Sequence, residues 1–317
     1  MSSSVSYRVA VTTFDHLQLE AFAAVARHRN FTRAASALHL SQPALSRRLN
    51  SLEQQLSTLL VVRNRTGATL TPEGERVLEF VEAQRSLEQE LANDLGTDTS
   101  AFHGVVRIAG LSSLVMPVAV PALAGLLQEH PAVQIEVQRD VEGRILERVR
   151  SGGLDLAITQ GRADMANVVD VYLGDEEFVL LESLLPTTRN DVFLDVSPND
   201  RTTELFFAGQ HDSGLVPAHW TRSFLHDEAG ILQGVGLGIG RAVKPRHTIV
   251  HATAVRVDDR YVSLIRPVYL QYRNQRRVGR LQRIVVDIVE RAVSHHLARH
   301  RPAGSDFGLG EETVRDG

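Results

Sequence analysis

The stretch FTRAASALHLSQPALSRRLNSLEQQL, from Phe31 to Leu56, decides the fold of the N-terminal part of this chain. Read with the segment from Asp15 to His28, it predicts three short amphipathic helices separated by tight turns. In the second helix, the hydroxyl of Thr32 is suited to cap the N-terminus, and Ala34 and Ala35 would let a neighbouring helix approach closely. The pattern predicts a compact three-helix unit.

The third helix has two faces of opposite character. Ser41 is placed to cap it, and Pro43 falls in its first turn, where a missing N–H costs little. One face is an apolar stripe at spacings of four, three and four residues, formed by Leu45, Leu49, Leu52 and Leu56. The opposite face carries Gln42, Ser46, Arg47 and Arg48. Glutamine can pair with adenine edges and arginine with guanine edges or phosphate, so this face suits the major groove of DNA.

These helices resemble the helix-turn-helix of LysR-type transcriptional regulators. The resemblance continues through LLVVRNRTGATLTPEG, from Leu59 to Gly74, which is similar to that family's wing and its Leu-Thr-Pro-x-Gly entry into a linker helix. It covers the N-terminal quarter closely and the rest more loosely. The family usually has Gly after Leu56, where this chain has Ser57. That Gly would end the recognition helix in a left-handed conformation, which Ser adopts at some cost.

Charge and composition agree with a DNA-contacting head. The chain has a net charge of −4, yet from Asp15 to Thr71 seven arginines stand against three acidic residues, a net +4. There is no cysteine, which excludes disulfides, cysteine-ligated zinc and thiol redox sensing, including the peroxide-sensing branch of the resembled family. The sequence shows no long apolar run and no signal peptide, so we expect a cytoplasmic protein without a membrane partner.

A wing hairpin and a long helix are predicted after the third helix. Arg63 and Arg65 flank the Thr66-Gly67 turn, where they would contact phosphate or the minor groove; a solvated hairpin is the alternative. Pro72 then opens a helix to about Leu95 whose inward positions recur nearly every 3.5 residues: Val77, Val81, Gln84, Leu87, Leu91 and Leu95. By the resemblance this is the linker helix that dimerises the heads. The alternative is a helix packed on its own domain.

The predicted architecture is an α/β multidomain chain in three parts. They are a winged helix-turn-helix over 14–71, a linker and dimerisation helix over 72–96, and an effector-binding (regulatory) domain over 104–300. In the last part strands and helices alternate, which predicts parallel strand pairing. The resemblance implies a two-lobed, periplasmic-binding-protein-like domain, with lobe I over 104–162 plus 267–300 and lobe II over 163–266.

Several individual elements of the regulatory domain are predicted from apolar runs. They are a helix bent at Pro121 over Leu114–Glu129, a helix over Glu142–Arg150, separate strands at Val168–Leu173 and Phe178–Leu181, a strand at Ile239–Val243, and an edge pair formed by Val255–Val257 and Val262–Ile265. The alternating glycines from Gly234 to Gly240 predict a helix stop and a turn into a strand rather than a phosphate-binding loop.

Ligands of open α/β sheets sit at the carboxyl ends of strands. Polar residues that follow the first three strands are therefore the effector candidates: Ser112, Ser113, Asp140, Glu142, Thr159 and Gln160. The serines would receive a carboxylate, and acids facing the cleft would receive the cationic end of a basic amino acid. The alternatives are plain N-capping for the serines and a solvent-facing first-turn acid for Glu142.

No catalytic or metal-binding constellation is recognisable. His295, His296 and His300 lie near the end of the last helix, where imidazolium favours the helix dipole, so neither a metal site nor a cofactor is predicted. Without a nucleophile–base pair, paired carboxylates or a phosphate-binding loop, we do not expect an enzyme. Trp220 is predicted to lie in the core of the second lobe or on the cleft wall.

The sequence thus predicts a bacterial LysR-type transcriptional regulator. It would bind a dyad-symmetric promoter site in double-stranded DNA as a dimer or, by the resemblance, as a homotetramer, with RNA polymerase as a further partner. A small-molecule effector, for which an amino acid is one candidate, would bind in the cleft and modulate transcription. Two alternatives stay open: a ligand-free regulatory domain that serves only assembly, and a solute-binding or enzymatic α/β protein with an interaction head. The basic head argues against the second.

Overall fold

The structure, a computed structural model, describes residues 14–64, 67–95, 102–138, 144–210, 213–274 and 279–300. The chain divides into two compact units, the first holding the described residues as far as Glu88 and the second holding Gln89–Arg150 and the residues from Leu154 onward. The elements up to the end of the long helix are α1 (His16–His28), α2 (Phe31–Ala37), α3 (Gln42–Leu56), β1 (Val61–Asn64), β2 (Gly67–Leu70) and α4 (Pro72–Leu95).

The three predicted helices are confirmed, and their apolar faces form one core. The buried residues include Leu19, Phe22 and Val25 of α1, Ala34 and Ala35 of α2, and Leu45, Leu49 and Leu52 of α3. Burying a large apolar side chain of this kind is worth about 1.5–3 kcal/mol. The apolar stripe of α3 therefore fixes which side of that helix remains available to solvent.

The helix caps are partly as predicted. Ser41 caps α3, since its hydroxyl accepts a hydrogen bond from the Ala44 amide at 3.3 Å. The prediction that Thr32 caps α2 is wrong. Asn30 has the extended backbone of a cap and accepts from the Arg33 amide at 3.0 Å, so α2 begins one residue before Thr32. Thr32 lies in the first turn and is exposed.

The end of α3 carries the strain that the sequence predicts. Ser57 has φ 53° and ψ 33°, a left-handed conformation, and its side chain is exposed. In this conformation a residue with a Cβ destabilises the folded state by about 1–2 kcal/mol. Glycine avoids this steric cost, but part of the gain is lost because its backbone gives up more conformational entropy on folding. Replacing Ser57 with Gly should therefore raise the free energy of unfolding by about 0.5–1 kcal/mol. Urea denaturation measures this, with Ser57→Ala as the control that keeps the Cβ; equal stability of the two variants would contradict the strain.

The wing is tied to the third helix, α3. β1 and β2 pair antiparallel from Val61–Leu70 to Asn64–Gly67, and the turn residues Arg65 and Thr66 lie outside the described residues. The Glu53 carboxylate of α3 accepts from the Leu60 and Val61 amides at 2.7 and 3.2 Å. The wing strands are thus held in place by the recognition helix itself.

α4 has the predicted bounds and an uneven environment. Near its start, Val81 is buried against the winged core. Farther along, Leu87, Leu91 and Leu95 are 46%, 59% and 72% exposed. The first half therefore packs on its own unit, as the alternative reading has it, while the second half presents apolar side chains to solvent.

The second unit is built on a seven-stranded mixed sheet. Its strands are β3 (Gly104–Gly110), β4 (Val133–Gln138), β5 (Leu156–Gln160), β6 (Val168–Ser183), β9 (Ala242–Pro245), β10 (Val255–Val257) and β11 (Leu264–Arg273), and a separate parallel pair is formed by β7 (Val192–Asp195) and β8 (Thr221–Phe224). The order is β10-β6-β11-β5-β3-β4, with β9 also on β6. The predicted parallel pairing of β3 with β4 and β5 is confirmed.

The helices of this unit cover the sheet on both faces. A broken helical segment after β3 consists of α5 (Ser112–Leu114), a π-helical turn (Val115–Ala119), α6 (Val120–Ala122) and α7 (Ala124–Glu129); the others are α8 (Ile145–Ser151), α9 (Thr202–Ala208), α10 (Glu228–Gly236) and α11 (Arg280–Arg299). The segment after β3 begins two residues before the predicted Leu114 and is interrupted around Pro121 by the turn at Leu123. α8 begins at Ile145 rather than at Glu142.

Three strand predictions need correction, and one strand was missed. The two predicted runs after residue 167 form a single strand, β6, because β11 pairs along most of it. β10 pairs with β6 rather than with Val262–Ile265, and Leu264 and Ile265 instead begin β11. The strand after the glycines begins at Ala242, since α10 ends at Gly236 and Gly238 turns the chain with φ +76°. β8 carried no clear pattern and was not predicted.

Two separate hydrophobic cores indicate the two lobes. Lobe I surrounds β3, β4, β5 and α11, and lobe II surrounds β7, β9 and α10 with the second half of β6. Trp220 belongs to lobe II, where its ring lies 5.3 Å from that of Phe193. The long strands β6 and β11 run through both lobes. The exact domain boundaries stay predictions.

Candidate DNA-binding surface and effector cleft

The exposed face of α3 is the candidate DNA-binding surface. Gln42, Pro43 and Arg47 are exposed and Ser46 is half-buried, because the leucines on the other face are held in the core. Within the described part of the chain, the side chains of Gln42 and Arg47 make no hydrogen bond or ion pair. Their donors are therefore available to base edges and phosphates.

Arg63 of the wing is joined to this face. Its guanidinium donates to the Ser46 hydroxyl at 3.1 Å and lies 3.9 Å from the centre of the Phe31 ring. Two predicted DNA-binding residues, one on α3 and one on β1, are thus brought together. Arg65, predicted as its companion, lies outside the described residues.

This arrangement predicts a cost for Arg63→Lys. Lysine keeps the charge but cannot stack as a plane or reproduce the same donor geometry. We expect the unfolding free energy to fall by about 1 kcal/mol, from the lost hydrogen bond and cation–π contact. The salt dependence of DNA binding should stay unchanged, because that slope follows the charge. Arg33→Lys, at an exposed position of α2, is the matched control, and equal effects of both changes in thermal denaturation would refute the role of the contact.

The structure does not bring all of the polar residues predicted to line the effector cleft together. Ser113 and Gln160 meet at Glu176, a residue that the sequence did not indicate. The Ser113 hydroxyl donates to Glu176 Oε1 at 2.9 Å and the Gln160 amide donates to Oε2 at 3.3 Å. Ser112 is exposed, and Asp140 and Glu142 lie outside the described residues.

Thr159 points to the other side of β5. Its hydroxyl donates to Gln271 Oε1 at 2.7 Å, and the Gln271 amide donates to Asp170 Oδ1 at 2.8 Å and to the Gly161 carbonyl at 3.1 Å. Gln271 is fully buried. Thr159 therefore belongs to a network that holds the crossing segment after β5, apart from Ser113 and Gln160.

A histidine cluster reaches Glu176 through one of its members. His247 Nε2 lies 2.9 Å from Glu176 Oε1, and the His247 ring lies 4.7 Å from His296 and 5.8 Å from His300. Glu176 is 1% exposed and His247 is 7% exposed. Two of the predicted dipole histidines thus pack against a histidine of the other lobe. Among the described residues, no group of histidines and acids could hold a metal ion.

Glu176 changes what the Ser113 end of the cleft can accept. The sequence predicts that the serines receive a ligand carboxylate, but the carboxylate that binds Ser113 belongs to the protein. A second negative charge within a few ångströms of a buried carboxylate is unfavourable. The arrangement favours a neutral or cationic group at this point.

Lobe II contains a cavity of its own. It has a volume of about 900 Å³ and is lined by charged residues that include Arg241, Arg256 and Arg260. Hydrogen bonding from the Arg260 guanidinium holds the pKa of Asp258 in its wall below the usual range. None of the four predicted effector residues that the structure describes lines this cavity.

Comparison with known families identifies both units. Residues 16–75 match the bacterial regulatory helix-turn-helix protein of the lysR family, and residues 99–294, more than half of the chain, match the LysR substrate-binding domain. This chain belongs to the LysR family. The resemblance seen in the sequence and the predicted fold class, a winged helix-turn-helix with a two-lobed α/β domain, are confirmed. None of the described helices of this LysR-family chain is both long and apolar enough to cross a membrane.

Curated members of the LysR family match part of the chain. A probable hydrogen peroxide-inducible genes activator of Streptomyces viridosporus is 33% identical over 53% of this chain and 54% of its own length. The transcriptional regulator ArgP of Aeromonas salmonicida is 34% identical over 53% of this chain and 56% of its own length. The chain spans about half the length of the curated relatives it matches.

Solved structures share the LysR fold. ArgP from Mycobacterium tuberculosis has a TM-score of 0.63 at 21% identity, covering 89% of this chain and 98% of its own. LysG from Corynebacterium glutamicum, solved with bound arginine, has a TM-score of 0.55 at 20% identity, covering 89% of this chain and 99% of its own. At these identities the likeness shows the fold alone.

Proposed function

We propose that this LysR-family protein is a sequence-specific DNA-binding transcriptional regulator. The observation that carries the proposal is the exposed face of α3, where Gln42 and Arg47 have no partner within the described residues while the wing arginine Arg63 braces Ser46. The fixed helix would enter the major groove with Gln42, Pro43, Ser46 and Arg47 nearest the bases, and Arg63 and Arg65 would lie near the backbone. Thr32 and Ser41 would contact phosphate at the adjoining helix starts.

A dimer would read a dyad-symmetric site. The exposed Leu87, Leu91 and Leu95 on the second half of α4 support this, because such an apolar stripe is stabilised by pairing with a second copy. By family likeness the assembly would be a homotetramer, with RNA polymerase as a further partner. Two heads related by a twofold axis require two half-sites with matching symmetry.

The regulatory domain would bind a small-molecule effector between its lobes, with a basic amino acid as the candidate. The buried acid Glu176 beside Ser113 and Gln160 favours a cationic group, as do Asp140 and Glu142 if they face the cleft. LysG, which shares this fold, was solved with bound arginine, a ligand of this class. Likeness to peroxide-inducible activators does not extend to thiol chemistry here, because the sequence has no cysteine.

One observation favours a second candidate for the cleft. Ser113, Gln160 and Thr159 are all hydrogen-bonded to residues of the protein itself. A regulatory domain that binds no ligand and serves only assembly would show such internal hydrogen bonds. The two candidates differ in whether a small molecule changes DNA binding.

Fluorescence anisotropy tests the proposed function. The protein is titrated onto its own upstream intergenic DNA and a scrambled control at two salt concentrations, with and without L-arginine or L-lysine, and with L-glutamate as a charge-reversed control. Tighter, salt-sensitive binding to the natural sequence supports the regulator. Equal binding to both DNAs would overturn it. A response to the basic amino acids alone supports the effector class, and no response to any would favour the assembly domain.

A further inference from the structure

Glu176 is a point at which the two lobes of the regulatory domain meet through hydrogen bonds. Its carboxylate has three partners, at 2.9 Å from Ser113, 3.3 Å from Gln160 and 2.9 Å from His247. The side chain is fully buried. A buried carboxylate in a strand is costly unless it is well satisfied, so the loss of any of these three bonds is unfavourable.

The three partners come from both lobes. Ser113 follows β3 and Gln160 ends β5, and both strands belong to lobe I. His247 lies in the 3₁₀ turn Arg246–His251 that follows β9 of lobe II. Since Glu176 itself lies on a strand that runs through both lobes, one carboxylate joins lobe I to lobe II.

The backbone bends at the same place. Gly174, two residues before Glu176, has φ +139°, a conformation that a side chain rarely adopts. A register shift between Val268 and Tyr269 on the neighbouring strand β11 lies opposite this position. Tyr269 pairs with Tyr172 and Val268 with Gly174, so Leu173 is the extra residue of a bulge in β6. A β-bulge allows a strand to bend and twist locally, here where the lobes join.

A crossing that contains a bulge and is held by a buried acid can take two kinds of arrangement. With all three bonds made, the lobes keep one relation. If the lobes rotate, Glu176 loses His247 or its lobe I partners and is left partly unsatisfied in a dry site, which is strongly unfavourable. Such a contact favours discrete states over a continuum of lobe angles.

We propose that Glu176 is the positioning residue that sets the relation between the two lobes. This role rests on the proposed function in one respect: an effector in the cleft would act by drawing Ser113 or Gln160 away from Glu176. The bulge at Leu173 and Gly174 of β6 provides the hinge, and the Glu176–His247 pair holds it in one position.

Distance measurement between the lobes tests this directly. Because the sequence has no cysteine, two can be introduced for spin labels at exposed helical positions, Gln128→Cys in lobe I and Gln233→Cys in lobe II. Pulsed electron paramagnetic resonance then gives the interlobe distance distribution of the full chain without DNA. The test variants are Glu176→Ala and His247→Ala, each on the labelled background.

Glu182→Ala is the matched control. Glu182 is also a buried glutamate with charged partners, bonded to Arg241 at 2.9 Å and to Arg256, but all three lie in lobe II. It should lower stability without changing the interlobe distance. Circular dichroism and thermal denaturation confirm that each variant is folded, and His247→Ala serves if Glu176→Ala does not fold.

We expect one narrow interlobe distance for the labelled protein without further substitution and for its Glu182→Ala variant. The Glu176→Ala and His247→Ala variants should show a shifted or a second distance. A folded Glu176→Ala or His247→Ala with the unsubstituted distribution would overturn the inference, as would an equal shift in Glu182→Ala. Operator binding is measured separately, so failure of sequence-specific DNA binding would refute the proposed function while the distance result still decides the role of Glu176.

Discussion

Replacing Arg47 with alanine is expected to weaken binding to the natural operator by about 1–3 kcal/mol, which is about 5- to 140-fold in Kd. Arg47 lies on the exposed face of α3 and has no internal partner among the described residues, so its loss should cost the protein little stability. A bidentate contact to a guanine edge would then be lost on the specific sequence alone. Fluorescence anisotropy against the natural and scrambled DNAs measures both affinities.

The control for Arg47→Ala is Arg33→Ala, which removes the same charge from an exposed position on α2. It should weaken binding to both DNAs by a similar, smaller factor, as the loss of a general electrostatic attraction does. An equal loss on both DNAs for Arg47→Ala would make Arg47 a phosphate contact. No loss on either would remove α3 from the proposed interface.

Replacing Gly74 with alanine should lower the free energy of unfolding of the winged unit by about 3 kcal/mol. A Cβ at this position would lie 2.1 Å from the Leu60 carbonyl oxygen and 3.0 Å from its carbon, and backbone atoms cannot move aside cheaply. The same junction holds the start of α4, where the Thr71 hydroxyl donates to the Leu59 carbonyl at 2.7 Å and accepts from the Gly74 amide at 3.0 Å. Urea denaturation measures the change.

Gly125→Ala is the control for Gly74→Ala. Gly125 lies in α7, and a Cβ there would meet no heavy atom within 4 Å. Alanine should be neutral or stabilise the helix by up to about 1 kcal/mol. If Gly74→Ala were as stable as Gly125→Ala, the close approach of α4 to Leu60 would not be required for the fold.

Local patterns were sufficient for most of the winged unit. The leucine spacing of α3 predicted its buried face, because an apolar stripe along one side of a helix is stabilised by packing against a hydrophobic core. Ser41 was predicted at the start of α3 because cap geometry depends on neighbouring residues, whereas the end of α3 at Ser57 was predicted from the family resemblance. Thr32 was misassigned because both Asn30 and Thr32 are acceptable caps, and the burial of Phe31 inside the helix decided between them.

The regulatory domain was harder to predict where distant residues decide the outcome. The run Gly174-Asp175-Glu176-Glu177 interrupts an apolar pattern, so the sequence predicted two separate strands, Val168–Leu173 and Phe178–Leu181. In the structure the strand continues, because β11 pairs along it and distant groups satisfy the acids. Ser113 and His247 reach Glu176 from 63 and 71 residues away, and no local pattern records such pairings.

The sequence by itself determined the three amphipathic helices, the basic recognition face, the long linker helix and the parallel start of the regulatory sheet, since periodicity, capping and charge are properties of neighbouring residues. Only the tertiary structure decided that Arg63 braces Ser46, that Thr159 and Gln160 serve different networks, and that Glu176 joins the two lobes. A buried polar group is stable only through the partners that the fold brings to it, and those partners are far away in the sequence.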